Sequence, residues 1–453
     1  MLNRLLRVPA VARATPVRRL NVPFQDDLTP ADDELFNLEG FREYKESPEV
    51  RAYRKSLGFV EGEEEEQKGG RPVEPTEIGT SLASVAQKPS PLVFVSKLTN
   101  PYLNLAIEDY VYHKMPVPGA GEANCNRLMF YVNTPCVVIG KNQNPWREVN
   151  MPLLNSLRLP LVRRRSGGGT VVHDTGNVNY SFMTTKERFD RKAFASVVCE
   201  SVNEIAVPEK QIMVTERGDI VTINDQLKVS GSAYKLTKGR SYHHGTMLLD
   251  SKLDVLRQLL HRDESEVGTI ESTASVASVK SPVTNLHLKK EDFIETVSAG
   301  FRNAYGTVKE SSEEKEPEDM NENEFLGLQD FVNAFSEREC ETFVVDENTE
   351  LPQEIEDMKN ELTSWEWKFG STAKFTHRFV HPKKDLKVEF DVVKGKLGGL
   401  RVQGDEHTKE AVEFLEMMLQ RGDGVPYTGS DVAGFITDDE LSEWIGNAID
   451  GSS

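Results

Sequence analysis

Cysteine is scarce in this chain of 453 residues, and what there is does not cluster. Cys125, Cys136, Cys199 and Cys340 form no CxxC pair and no metal-ligand spacing. That excludes a disulfide framework and a cysteine-based zinc site, and reads as reduced thiols in an intracellular protein. No run is long and apolar enough to span a membrane. Basic charge is in deficit: 54 Lys and Arg against 73 Asp and Glu leave −19 at pH 7, an excess that would repel a nucleic acid. Acid is in turn missing from the opening stretch MLNRLLRVPAVARATPVRRL. It carries Arg4, Arg7, Arg13, Arg18 and Arg19, with no Asp or Glu before Asp26. Leu2, Leu5, Leu6 and Val8 fall on one face of a short helix. This is the profile of a mitochondrial presequence over residues 1–20, the alternative being a disordered basic tail.

Residues 21–90 read as a disordered or weakly structured arm, because EGEEEEQKGGRPVEP is charged, Gly/Pro-bearing and weakly periodic. A short helix over Glu34 to Ser56 is the one local pattern in it. The folded core is expected to begin near Pro91. PLVFVSKLTN has strand character, and NPYLNLAIEDYVYHKM has helical spacing with Leu103, Ile107, Tyr110 and Val111 on one side. Two strand-like runs follow, Leu128 to Val132 and Cys136 to Ile139, broken by Asn-Thr-Pro. Leu159 to Val162 is a strand that delivers the chain into RRRSGGGTVVHDTGNVNYSF, Arg163 to Phe182.

Three glycines in a row let a backbone adopt positive φ and approach a ligand closely. Their amides can line an anion-binding concavity. Arg163, Arg164 and Arg165 add permanent charge and a planar fork suited to carboxylate or phosphate. No Lys follows the glycines, which excludes a GxxxxGK[ST] phosphate loop, and TVVHD opens a strand rather than the helix a dinucleotide fold requires. The glycine loop is therefore expected to join two strands, with its arginines and glycines at the mouth of a sheet.

A second chemical stretch is RGDIVTINDQLKVSGSAYKLTKGRSYHHGTMLLD, Arg217 to Asp250. It alternates as two or three strands. Lys228 sits between apolar neighbours, just before Ser230-Gly231. If it faces the glycine loop, its ammonium can bridge a carboxylate and a phosphate. Otherwise it is a solvated surface lysine. His243 and His244 are adjacent in a strand and so point to opposite faces, which argues against a metal held by both.

Taken together, these blocks resemble the lipoate–protein ligase A family of the biotin/lipoate ligase superfamily. The resemblance runs through NLAIEDYVYHKMP, VVIGKNQNPWREVN, RRRSGGGTVVHDTGNVNYSF, KVSGSAYKLTKGRSYHHGTMLL, SVKSPVTNL and SWEWKFG. It covers most of Pro91 to Asp450 and omits the N-terminal arm. It implies an α/β (α+β) catalytic domain on a mixed, mostly antiparallel sheet over 91–307, an acidic linker or insertion over 308–326, and a small α+β accessory domain over 327–450. KESSEEKEPEDMNENE, Lys309 to Glu324, has the acidity of such a linker. Trp365, Trp367 and Phe369 are expected as core anchors of the small domain rather than a ligand-stacking cluster.

The resemblance also implies chemistry. Lipoate would be activated by ATP to lipoyl-AMP, with Mg²⁺ escorting the phosphates, and the lipoyl group passed to a lysine ε-amine on a carrier domain. Lys228 matches the family's essential lysine, with catalytic and nucleotide-contacting roles. Arg164, Gly169, Thr170, Val171 and Val172 match nucleotide-contacting positions. Arg164, Ser166, Gly167, Gly168, His173, Lys228 and Lys235 match the lipoyl pocket, and no metal ligand is assigned. The partners implied are lipoyl domains of 2-oxoacid dehydrogenase E2 subunits and the glycine-cleavage H protein, met by a monomer in the mitochondrial matrix. Three positions depart from the family pattern: Gly218 where Asn is usual, and Lys235 and Lys280 where Arg is common. The VGTIESTAS loop before Ser278 is also longer than usual. A complete ligase is the favoured reading. The alternatives are an ATP-independent lipoyl or octanoyl amidotransferase and a non-catalytic carrier-binding module. A covalent-cysteine transferase is disfavoured, because neither chemical block contains a cysteine.

Overall fold

Helix α1 begins at Leu82, nine residues before the expected start of the core, because LASVA has apolar side chains to bury and a Ser81 cap to begin on. Ser81 accepts the Ser84 amide, and Leu82, Val85 and Ala86 are buried. The computed structural model describes residues 81–119, 121–237, 239–308, 337–422 and 424–452. The presequence over 1–20, most of the arm with its Glu34 to Ser56 helix, and the acidic run Lys309 to Glu324 lie outside the described residues.

The principal sheet is built from β1 (Leu92–Ser96), β2 (Arg127–Tyr131), β6 (Asn177–Thr185), β10 (Ser232–Leu236), β11 (Arg240–Leu248) and β15 (Glu341–Val345), in the order β10-β11-β6-β2-β1-β15. Pairing is antiparallel from β10 to β2 and parallel across β1 to both β2 and β15. Against it lies α2 (Pro101–Lys114), started by Asn100, whose side chain accepts the Tyr102 and Leu103 amides. Burial of α2 is not confined to one apolar face. Asn104, Glu108 and Asp109 are as enclosed as Ile107 and Tyr110, because each finds polar partners inside.

A smaller sheet, β4-β3-β5, joins β3 (Cys136–Ile139) in parallel to β4 (Leu161–Arg163) and antiparallel to β5 (Val171–His173). The glycine loop thus links the two strands flanking β3. A third, β7-β8-β9, takes in β7 (Ile212–Val214), β8 (Ile220–Thr222) and β9 (Lys228–Ser230). β9 runs through Gly231 into β10, which brings Lys228 towards the principal sheet.

The part expected as an accessory domain is interleaved with the part expected as catalytic. Its sheet, β12-β16-β17-β18, takes β12 (Thr269–Glu271) from upstream and adds β16 (Phe375–Val380), β17 (Lys387–Val393) and β18 (Lys396–Gln403). Meanwhile β13 (Thr307–Val308) pairs antiparallel with β14 (Arg338–Glu339), β15 returns to the principal sheet, and α3 (Gln353–Thr363) packs on α2. Residues 341–363, expected in the accessory domain over 327–450, therefore pack on the principal sheet and α2. Parallel pairing of strands so far apart in the chain leaves no local signature.

One apolar core runs under both units. Val137, Ile139 and Leu154 of the glycine-loop side pack with Phe375, Val388 and Ile445 of the accessory side. Trp146 sits at the seam, its ring 5.3 Å from Phe369, 5.3 Å from Phe375 and 5.4 Å from Tyr427. Trp365 stacks on Phe369 at 4.3 Å, and Trp367 Nε1 donates to the Arg163 carbonyl at 2.7 Å, so this cluster anchors the join. Among the described residues, no helix is long and apolar enough to cross a membrane.

Candidate active site

Lys228 and the glycine loop face one cavity. It measures about 340 Å³ and is lined on one side by Arg164, Gly168, Gly169, Thr170, Val171 and His173. Lys228, Arg217, Asp219, Ser232 and Ala233 also line it, with Leu105, Tyr131 and Val138 supplying apolar surface. Its size is at the lower end of the roughly 300–1,000 Å³ of small-molecule sites. The segment Val276–Ser281 closes one side, placing Val276 and Val279 at the rim even though they are 46% and 69% exposed.

Lys228 owes its place to two neighbours. Its backbone amide donates to the Pro282 carbonyl and its carbonyl accepts from Thr284, pinning β9 to the segment after the rim. Its ammonium donates to Asp219 Oδ1 at 2.6 Å. An ammonium has three hydrogens, so two remain for a ligand. Gly218, between Arg217 and Asp219, has φ +85, and a Cβ there would lie 3.2 Å from the Tyr234 hydroxyl. The position needs the left-handed region, which glycine and asparagine both tolerate. Arg217 is exposed at the cavity edge, with no ion-pair partner among the described residues.

The three arginines are not the free anion fork that their sequence suggests. Arg163 is fully buried and donates to the carbonyls of Lys141, Gln143 and Lys368 and to Thr372 Oγ1, stapling the 140–143 loop to the 366–372 turn. Arg165 pairs with Asp109 at 3.0 Å and also with Glu361. Arg164 does line the cavity, but its donors serve Ser166 Oγ at 3.0 Å and the carbonyls of Gly167 at 2.7 Å, Gly169 at 2.6 Å and Val138 at 3.3 Å. It shapes the glycine loop and contributes charge rather than a free hydrogen-bonding face. Burial lowers its pKa to about 10, which leaves it charged at neutral pH.

Other expected positions divide in the same way. Gly168, Gly169, Thr170, Val171 and His173 meet Lys228 at the cavity. Val172 does not: alternation along β5 turns it into the core with Val137 and Ile139. Gly167 contributes a carbonyl to Arg164 and lies outside the lining. Lys235 is also outside, held by Asp109 at 2.8 Å and lying 5.1 Å from the Tyr112 ring. The backbone amide of Thr170, expected at a nucleotide-contacting position, donates to Ser278 Oγ at 2.9 Å. Gln143 supports that contact, with Nε2 2.9 Å from Ser278 Oγ and Oε1 3.0 Å from Thr170 Oγ1.

Ser166 belongs to a buried network with His244, Glu108 and Tyr131, of which the sequence draws notice only to His244, as a metal ligand argued against. Its hydroxyl lies 2.7 Å from His244 Nε2, and His244 Nδ1 lies 2.8 Å from Glu108 Oε1. Tyr131 donates to the other Glu108 oxygen at 2.8 Å. Serine, histidine and carboxylate in that order resemble a nucleophilic triad. The serine is 1% exposed, outside the cavity lining and hydrogen-bonded by Arg164, so no acyl carbon can reach it. The sequence signal for this network was Glu108, which with Asp109 sets an acidic pair in the middle of a largely apolar helical stretch. His243 faces away from His244 and stacks on Tyr234 at 4.6 Å. No group of three His, Cys, Asp or Glu suited to a metal occurs among the described residues. None of the four cysteines lines the cavity, and burial pushes Cys199 up to about 12 and Cys340 up to about 11.

Comparison with known proteins agrees with this constellation. The family model "Lipoyl protein ligase A/B catalytic domain" matches residues 100–302, which include both the glycine loop and Lys228. A Saccharomyces cerevisiae (strain RM11-1a) protein named "Putative lipoate-protein ligase A" is 36% identical over 331 residues, spanning 72% of this chain and 72% of its own. The chain belongs to the lipoate–protein ligase A family. A Schizosaccharomyces pombe protein of the same name is 34% identical over 320 residues, 67% of this chain and 78% of that one. Among solved structures, Plasmodium falciparum LipL1 in complex with lipoate covers 79% of this chain and 99% of its own at 23% identity, with a TM-score of 0.46. In this chain the glycine-loop and lysine blocks, far apart in sequence, line one cavity.

Proposed function

We propose that this chain activates lipoate with ATP and transfers the lipoyl group to a lysine on lipoyl carrier domains. The observation that carries the reading is that the Lys228 ammonium and the glycine loop line the same cavity. A carboxylate does not react with an amine at neutral pH. Activation joins a lipoate oxygen to the α-phosphorus of ATP while the bond to pyrophosphate breaks. Two anions have to approach, and the two free hydrogens on Lys228 sit where they can bind both. In the second step the lysine amine attacks the acyl carbonyl, an amide forms, and AMP leaves with the bonding electrons. Arg164 keeps the loop open and its charge near the developing negative oxygens, while Leu105, Tyr131 and Val138 supply a surface for the acyl chain.

Mg²⁺ fits as an ion carried mainly by the nucleotide. Asp219 is the carboxylate among the lining residues, and a single carboxylate with substrate phosphates is a common Mg²⁺ set. Its chemistry would be to neutralise phosphate charge.

Of the three departures from the family pattern, Gly218 keeps the backbone conformation and Lys235 is turned away from the cavity. These placements support the ligase reading over transfer without ATP. The implied acceptors are E2 lipoyl domains and the glycine-cleavage H protein, and the basic, acid-free opening stretch supports action in the mitochondrial matrix. A fusion lacking Met1 to Leu20 that still entered mitochondria would overturn the presequence reading of that stretch. The reaction is tested by incubating the full chain with lipoate and an unmodified lipoyl domain. The acceptor should gain one lipoyl mass only when ATP is present. Transfer from an already acylated carrier without ATP would instead mark an amidotransferase.

A further inference from the structure

A histidine lining a reaction cavity is ordinarily first considered as a general base. His173 is such a residue, 3% exposed at the end of β5. Its Nδ1 lies 3.0 Å from Asn133 Nδ2. Which atom donates is decided by the groups behind Asn133. Asn133 Oδ1 accepts from Asn104 Nδ2 at 2.9 Å, and the same Asn104 nitrogen donates to the Leu98 carbonyl at 2.7 Å. Turning the Asn104 amide over would set its oxygen against two acceptors. Asn104 Oδ1 in turn accepts from Ser96 Oγ at 2.7 Å. The chain of bonds therefore has one direction: Ser96 donates to Asn104, Asn104 to Asn133, and Asn133 to His173 Nδ1. Asn104 and Asn133 are both fully buried, a placement tolerable only if every polar atom is satisfied.

With Nδ1 accepting, a neutral His173 carries its proton on Nε2. That nitrogen has no partner among the described residues and is not among the side-chain atoms fully enclosed without one, so it opens onto the cavity. We propose that Asn133, backed by Asn104 and Ser96, is a positioning residue that fixes His173 as its Nε2–H tautomer, making His173 a neutral hydrogen-bond donor to an anionic oxygen of the acyl-adenylate rather than a base. Burial, with Arg164 and His244 adding to it, holds the His173 pKa down at about 3, so the ring stays neutral at working pH. A neutral donor stabilises oxygen charge during activation and transfer, and it cannot accept the proton of the incoming lysine.

The donor role rests on the acyl-adenylate reading of the cavity, whereas the tautomer does not, and the experiment separates them. Histidine ring shifts are measured by NMR on the full labelled chain, the His173 signal being identified by its loss in His173→Gln. The expected result is the Nε2–H form throughout pH 5 to 8, with a shift of that proton on adding a non-hydrolysable lipoyl-adenylate analogue. In Asn133→Asp, which has no N–H to donate, the proton should move to Nδ1, and the rate of acyl activation should fall by about 10² as for other lost donors. His173→Gln, whose amide nitrogen reaches the Nε2 position, should lose less than His173→Asn. An Nδ1–H form in the unmutated chain, or a His173 that titrates between pH 5 and 8, overturns the relay even if Asn133→Asp does not fold. An unmoved Nε2 proton in a chain shown to bind the analogue overturns the donor role alone. A chain that binds no analogue and activates no lipoate overturns the acyl-adenylate reading and the donor role with it, while the tautomer measurement still decides the relay.

Discussion

Arg164 and Lys228 are both cations at the cavity, but they stand in opposite relations to the fold. Arg164 supports four acceptors, including the carbonyls of Gly167, Gly169 and Val138. Removing it takes the donor from the part-buried Gly167 and Gly169 carbonyls and the buried Val138 carbonyl, at up to about 1–3 kcal/mol each. Arg164→Ala should therefore lower stability by roughly 3 kcal/mol or more, seen as a fall in the urea midpoint, and lose activity as a consequence. Lys228 makes one side-chain ion pair, with Asp219, and the two side chains are 23% and 33% exposed. Such a pair contributes about 0–1 kcal/mol, so Lys228→Ala should leave the midpoint nearly unmoved while activity falls by about 10²–10³. Equal destabilisation by the two substitutions would contradict this division. Gly218 tests the backbone in the same cavity wall. Gly218→Ala places a Cβ at φ +85 and should cost about 1–2 kcal/mol, with Gly218→Asn milder.

At the scale of elements, the glycine loop was legible because its chemistry is local. A strand-forming run enters it, VVH leaves it, and three glycines between them can only be a close turn. Lys228 was legible through its strand alternation and its approach to Ser230-Gly231. What the arginines do was not legible, since a guanidinium reads the same whether it meets a phosphate or the Gly169 carbonyl. The placements of β12 and β15 were equally opaque. TIE and ETFVV are short strands whose neighbours are over a hundred residues away, and pairing at that distance is decided by the packed whole. The seam they help form also makes a prediction. Trp146 is 2% exposed between the glycine-loop sheet and the accessory sheet. Trp146→Ala should cost about 3–5 kcal/mol and weaken both units together in a single thermal transition. Two separate transitions would show that the shared core does not couple them.

The whole molecule carries a stability term set by pH. Burial holds His173, His243 and His377 down at about 3. In the unfolded chain each titrates near 6.5, so as pH falls below that value the unfolded state takes up protons that the folded state refuses. Stability present above about pH 6.5 is then lost progressively down to about pH 3, with a limiting slope for three protons of roughly 4 kcal/mol per pH unit. The Asp450 carboxyl, raised by burial, works in the opposite sense at the acid end. Urea midpoints at pH 7.5, 6.5 and 5.5 should fall in that order, with the larger drop in the last interval, and a flat series would contradict the neutral buried histidines.

The proposed activity also belongs to the assembled molecule, because the glycine loop, the Lys228 strand and the 276–281 rim line one cavity. Its most direct measurement is lipoate-dependent exchange between ATP and pyrophosphate by the purified chain, without any acceptor protein. The account predicts exchange that requires lipoate and falls by about 10²–10³ in a folded Lys228→Ala variant, the loss typical of one preorganised donor to the transition state. No exchange, in a chain that nonetheless moves lipoyl groups between carriers, would contradict it.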